Sequence, residues 1–287
     1  LMGPEAAMQC GLLLAEARRT ANRADSELSA LGKATRVFML LLKRDNALFP
    51  RISQLLDAAG IEDPREGTVA VMQVLYCLIR YENDWSTAGT ALLARGIEFA
   101  RLLVNLKPDA PGMAILLSTL LMHDPASVPL ARSIMRMCEK SMAGASSMHN
   151  MHDVLLCRVL LHVLDGNLAE AAAVAGKLRH NPYHSPLSTL IRPFFMMVMM
   201  LGGERQDVIE MGRLMAGLHP NYSSTLVYYL AALVLEGEST EEIQQVRQHL
   251  HRLVPDLTIE KILSRFPYLS ASKKAELRQA FSSTGLL

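Results

Sequence analysis

Apolar positions along the chain recur at helical spacing and rarely alternate. From Pro4 to about Leu31, Leu12, Leu13, Ala15, Ala21 and Leu28 follow a loose helical stripe, with Arg18, Arg19, Arg23 and Asp25 between them. This predicts one helix. A second is predicted from about Thr35 to Ala59, around the apolar stretch Val37-Phe38-Met39-Leu40-Leu41-Leu42. Gly60 is expected to cap it, because a helix end favours a left-handed residue. Asp63-Pro64-Arg65-Glu66-Gly67 then reads as a turn.

Beyond this point one pattern repeats. An apolar helix runs into a short polar turn, and a more amphipathic helix follows and ends near proline. The turns are Asn83-Asp84-Trp85, His123-Asp124-Pro125, Asp165-Gly166-Asn167, Gly202-Gly203-Glu204 and Glu236-Gly237-Glu238. Gly166 to Gly203 spans 37 residues and Gly203 to Gly237 spans 34; Asp84 to Pro125 and Pro125 to Gly166 each span 41. The closing prolines keep step, with 38 residues from Pro182 to Pro220 and 35 from Pro220 to Pro255. Two independent markers with one period point to a helical solenoid. A single helix hairpin cannot bury both its apolar faces, so stacked neighbours must close the core. The expected fold is all-α: a right-handed α-solenoid of antiparallel helix pairs, with about five repeats plus capping helices. Residues 1–66 are expected to cap it, 67–255 to form the repeats, and 256–287 to form C-terminal capping helices.

Composition agrees with helix. Half of the 287 residues are apolar and only 5% are aromatic, while Leu, Ala and Met abound. The formal net charge is +1, from 29 basic and 28 acidic residues, which gives no electrostatic footprint for nucleic acid. Cys10, Cys77, Cys138 and Cys157 are far apart and lack metal or redox spacing, so a reducing cytoplasm is the expected location. The strongest apolar run, Pro193 to Leu201, falls short of the ~20 residues needed to span a bilayer, so no membrane partner is expected. No secretory leader pattern opens the chain. Because it begins at Leu1, it is expected to be the C-terminal part of a longer protein.

The repeats resemble the tetratricopeptide family. Gly166, Ala171 and Pro182 fall where that family places the glycine after its first helix, the alanine five residues on, and the closing proline. Gly203 and Pro220 match the next unit, with Val208 in place of the alanine; Gly237 and Pro255 match the third more loosely. Val159, Met196 and Leu230 replace the family's small residue within the first helix. The tail carries Val254-Pro255-Asp256-Leu257-Thr258-Ile259, Arg265-Phe266-Pro267-Tyr268, Leu277-Arg278-Gln279-Ala280-Phe281 and Gly285-Leu286. It resembles the end of tetratricopeptide domains in bacterial proteins that carry an N-terminal winged helix or a nucleotidyl cyclase domain. That resemblance implies a non-catalytic sensory or interaction domain of a transcriptional regulator. DNA would be reached only through a domain outside this chain. The alternative is a stand-alone adaptor or chaperone-type protein for a secretion or assembly partner.

No GxSxG, HExxH, Walker or GxGxxG pattern is present, so no enzyme activity and no cofactor is expected. His149 and His152 have a spacing open to a metal, yet such pairs are common at helix starts, and no metal site is assigned. His180 and His184 straddle a linker, and His249 and His251 point to different sides of a helix. Met196, Met197, Met199 and Met200 read as adaptable core. Glu241-Glu242 suits a helix N-terminus. The first helices also carry arginines among apolar residues, and a guanidinium cannot be buried cheaply without a partner. Aligned on their turns, Tyr76, Arg158, Phe195 and Tyr229 form one column, and Arg80, His162 and Met199 form its i+4 neighbour. In tetratricopeptide folds the first helix of each pair lines the concave face. These residues and Arg192 are therefore candidates to bind a peptide, protein or small-molecule signal. A homodimer is also compatible with the sequence.

Overall fold

A computed structural model describes residues 4–85, 89–106, 111–142, 151–179 and 186–284. His149, His180, His184 and the Gly285-Leu286 end of the tail lie outside the described residues, as does the side chain of His152. The described residues form α1 (Pro4–Thr20), α2 (Ala30–Leu42), α3 (Phe49–Glu62), α4 (Gly67–Asn83), α5 (Gly89–Leu106), α6 (Pro111–Leu121), α7 (Val128–Met142) and α8 (Met151–Asp165). They continue as α9 (Leu168–Arg179), α10 (Pro186–Gly202), α11 (Arg205–Leu218), α12 (Ser223–Glu236), α13 (Thr240–Leu253), α14 (Ile259–Ser264) and α15 (Ala271–Ser283). The fold is all-helical, and helices pack in neighbouring pairs.

Local chemistry sets these boundaries. Ser29, Ser239, Thr258 and Ser270 each accept a hydrogen bond from the backbone N–H three residues on, which opens α2, α13, α14 and α15. Three first helices close alike. Gly166, Gly203 and Gly237 have φ of +81°, +101° and +70°. The N–H after each glycine donates to the carbonyl five residues back, on His162, Met199 and Leu233, at 2.8, 3.0 and 3.0 Å. Three of the five turn markers read from the sequence are thus one recurring backbone device.

The N-terminal boundaries differ from the sequence reading. In place of one helix to Leu31, α1 stops at Thr20, and a short 3-10 turn, Asp25–Glu27, intervenes. The predicted Thr35–Ala59 helix is two helices, broken at Arg44 (φ +50°) and restarted at Phe49-Pro50, where proline suits a first turn. Gly60 lies inside α3 rather than capping it.

Pairs α4/α5, α6/α7, α8/α9, α10/α11 and α12/α13 follow one another, and α2/α3 precedes them. The helices also meet at long range: α2 packs on α10, and α4 packs on α12. Each contact joins a first helix to the first helix of the fourth pair beyond it, so the array returns on itself. Among the described residues no helix is long and apolar enough to cross a membrane.

Candidate functional site

The α4–α12 contact is polar at its centre. Asn83, at the end of α4, donates to the Ile79 carbonyl, and its side-chain oxygen accepts the Ser224 N–H at 3.3 Å. The Trp85 indole N–H donates to Ser223 Oγ at 3.0 Å, and Ser223 in turn donates to Asn83 at 3.3 Å. Ser223 and Ser224 are fully buried. A buried hydroxyl needs partners, and those of Ser223 come from residues about 140 positions away.

The tail segment fills the space beside this seam. Leu257, Ile259, Ile262, Leu263, Phe266 and Leu269 are buried. Arg265 is 9% exposed; its guanidinium lies 3.8 Å over the Tyr81 ring and donates to the Asp84 carbonyl. His123, just past α6, donates from Nδ1 to the Arg265 carbonyl at 3.0 Å. Burial holds its imidazole down at about 4, so the ring is neutral. Phe266 packs on Tyr228 of α12, and the Tyr268 hydroxyl contacts Met197 Sδ of α10 at 3.1 Å. The Arg265-Phe266-Pro267-Tyr268 motif therefore touches α4, α10 and α12, with the end of α6, all first members of their pairs.

At the outer edge of the seam lies a cleft of about 580 Å³. Its walls come from both ends of the array: Asn46, Phe49 and Arg80 on one side, Val254 and Asp256 on the other, with Trp85 between. Arg80 Nη1 donates to the Tyr76 hydroxyl at 2.8 Å, and its Nε lies 3.8 Å from Asp84 Oδ2. Tyr76 and Arg80 are an i,i+4 pair on one helix face. The arginine is positioned while a third of its side chain stays open to the cleft.

The structure disperses the eight residues singled out by sequence. Tyr76, Phe195, Met199 and Tyr229 are buried at 2%, 8%, 1% and 3% exposure. Tyr229 packs against Gly212 of α11, and its hydroxyl donates to Glu242 of α13. Arg158 is exposed and pairs with Glu139 of α7 at 3.3 Å. His162 and Arg192 are half-buried. Of the eight, only Arg80 lines the large cleft.

Sequence reasoning missed a second cluster. Arg44 is 3% exposed, and its guanidinium stands 4.9 Å over the ring of Tyr222, which is itself 1% exposed. The Tyr222 hydroxyl donates to Glu82 Oε2 at 3.3 Å. Burial pushes the Glu82 carboxyl up to about 7, against the opposing pull of Arg44. The only advance signal was Arg44 itself, a cation between two apolar helices. Elsewhere, burial raises the Cys77 and Cys157 thiols to about 11 and 12, which makes them poor nucleophiles. Among the described residues no group of three or more His, Cys, Asp or Glu side chains is placed to hold a metal ion.

The class these observations define is an all-helical array of paired helices with a polar seam joining its early and late pairs. No protein-family model, no curated protein and no solved structure matches the chain.

Proposed function

We propose that this chain is a non-catalytic sensory or interaction domain of a bacterial transcriptional regulator, built as a right-handed tetratricopeptide-like solenoid of about five repeats with capping helices. The observation that carries the reading is the cleft around Arg80. Its walls come from residues 46–85 and 253–256, so an occupant touches both ends of the array at once. Binding free energy there acts directly on the closure of the array, which a sensor needs if it is to pass its state to another domain. Arg80 supplies a positioned cation, and Phe49, Pro50 and Trp85 supply apolar surface, a lining suited to a small anionic-apolar molecule or a peptide.

Two measurements test this. The coding sequence upstream of Leu1 should specify an output domain; an intact gene with none refutes the regulator reading. Native mass spectrometry of the full-length protein should show a small molecule or peptide retained at unit stoichiometry. That adduct should be lost in Arg80→Ala.

A stand-alone adaptor is the second reading, supported by exposed apolar side chains on second helices. Leu130 and Met137 of α7 are 46% and 69% exposed, and Leu214 and Leu218 of α11 are 52% and 60% exposed. A single stoichiometric protein partner recovered from native lysate, with no small molecule, favours that reading.

A further inference from the structure

Arg44 is the least compensated charge among the described residues. Its Nε, Nη1 and Nη2 are all buried and none has a hydrogen-bond partner. A guanidinium carries five N–H donors and stays charged in proteins. Glu82, an acidic group that acts on Arg44, accepts a hydrogen bond from Tyr222 and none from Arg44. Arg44 also holds φ at +50°, a left-handed conformation disfavoured for a side chain of this size. Both penalties fall on one residue, against the compensation of the Tyr222 ring beneath its guanidinium.

The surrounding groups add positive charge. Arg192 of α10 lies close enough to depress the Arg44 guanidinium further, after burial itself, while Tyr222 and Glu82 oppose that shift. His219 follows α11, and burial together with the charges of Arg44 and Arg192 holds its imidazole below the usual range. Arg192 thus acts electrostatically on Arg44, and both act on His219, while the Arg44 guanidinium stands 4.9 Å over the Tyr222 ring. Among the described residues, Glu82 is the carboxylate that acts on Arg44.

We infer that Arg44, Arg192 and His219 form a receptor for the oxyanion of a small molecule, a carboxylate or a phosphate, which supplies the partner that Arg44 lacks. Bidentate pairing with a planar guanidinium is the strongest hydrogen-bonding option open to either group. No solvent reaches the Arg44 nitrogens, so anion binding requires the packing around them to open. The site is distinct from the Arg80 cleft, and neither Arg44 nor Arg192 lines that cleft.

The test uses the full 287-residue chain in thermal unfolding, with inorganic phosphate and with acetate, each against chloride at matched ionic strength. The wild type should show a saturable rise in Tm with phosphate or acetate that chloride does not reproduce; which anion acts identifies the chemistry. Arg44→Met should lose that rise while its anion-free Tm stays equal to or above wild type, because an unpaired buried charge has been removed. Arg192→Gln should weaken the response and leave the anion-free Tm unchanged. Three results each overturn the inference. One is a wild-type response no larger than that to chloride. Another is a full response in Arg44→Met. The third is a marked drop in anion-free Tm for Arg44→Met, which would make Arg44 a structural partner of Glu82.

Discussion

Phe266→Ala asks whether the tail is a peripheral cap or part of the core. Phe266 is 1% exposed. Its ring centroid lies 6.4 Å from that of Tyr228 and 6.3 Å from that of Tyr268, the latter at 90°, an edge-to-face contact. Truncating a fully buried phenylalanine removes its transfer free energy and leaves a cavity, at a cost of about 3–5 kcal/mol. One wall of this cavity is Tyr228 of α12, a helix packed on α4, α10, α11 and α13, which limits how far collapse can fill it. With an unfolding entropy that scales with chain length, the loss corresponds to a fall in Tm of about 5–8 °C for a chain of this size. Urea unfolding followed by circular dichroism measures it. The neighbouring Arg265 guanidinium lies 5.4 Å from the Trp85 ring, so loosening the tail should also shift tryptophan emission to the red. A loss below about 0.5 kcal/mol, typical of surface substitutions, would refute the placement of Phe266 in the buried core.

Other substitutions probe separate parts of the account. Gly212→Ala would place a Cβ 2.4 Å from Tyr229 Cγ, so α11 and α12 must separate; a loss of about 1–3 kcal/mol in urea unfolding is expected, and a neutral result would contradict that helix contact. Arg158→Ala removes only an exposed ion pair with Glu139 and should cost under about 1 kcal/mol. The pH dependence has two opposing parts. Glu82 is raised from 4.5 to about 7, so its contribution is full below pH 4.5 and is lost as pH rises through 7. His123 is lowered from 6.5 to about 4, so its contribution is full above pH 6.5 and is lost as pH falls through 4. The slopes cancel between pH 4.5 and 6.5. Glu82→Gln removes the falling part, so its stability relative to wild type should climb across that window, by up to about 3 kcal/mol. Parallel wild-type and variant curves would show that Glu82 does not titrate in this range.

The repeating unit was legible because it is written locally. A left-handed glycine after an apolar helix is a chemical requirement at one position, and Gly166, Gly203 and Gly237 meet it at regular spacing. The break at Arg44 was not legible, because a left-handed arginine has no sequence signature; Pro50 was the only nearby hint. The residues of the seam were invisible for a different reason. Ser223 and Ser224 look like an ordinary polar helix start, and Asn83 and Trp85 look like a turn. Their burial depends on a partner about 140 residues away. The i,i+4 spacing puts Tyr76 and Arg80 on one face of α4, but it does not distinguish the arginine that faces a cleft from the tyrosine that supports it. Tyr229 faces Gly212 because neighbouring pairs pack closely there, a fact of three-dimensional stacking that one repeat alone does not contain.

Trp85 offers the most direct test of the proposed binding role. It is the chain's single tryptophan; it lines the Arg80 cleft and its indole joins the two ends of the array through Ser223. Titrating the protein with a panel of organic acids and short peptides, with Trp85 emission as readout, should reveal at least one ligand with a saturable spectral change. Arg80→Ala should abolish that change. Ligands that bind by calorimetry yet leave Trp85 emission unaltered, with affinity unchanged in Arg80→Ala, would contradict the assignment of the cleft as the sensing site.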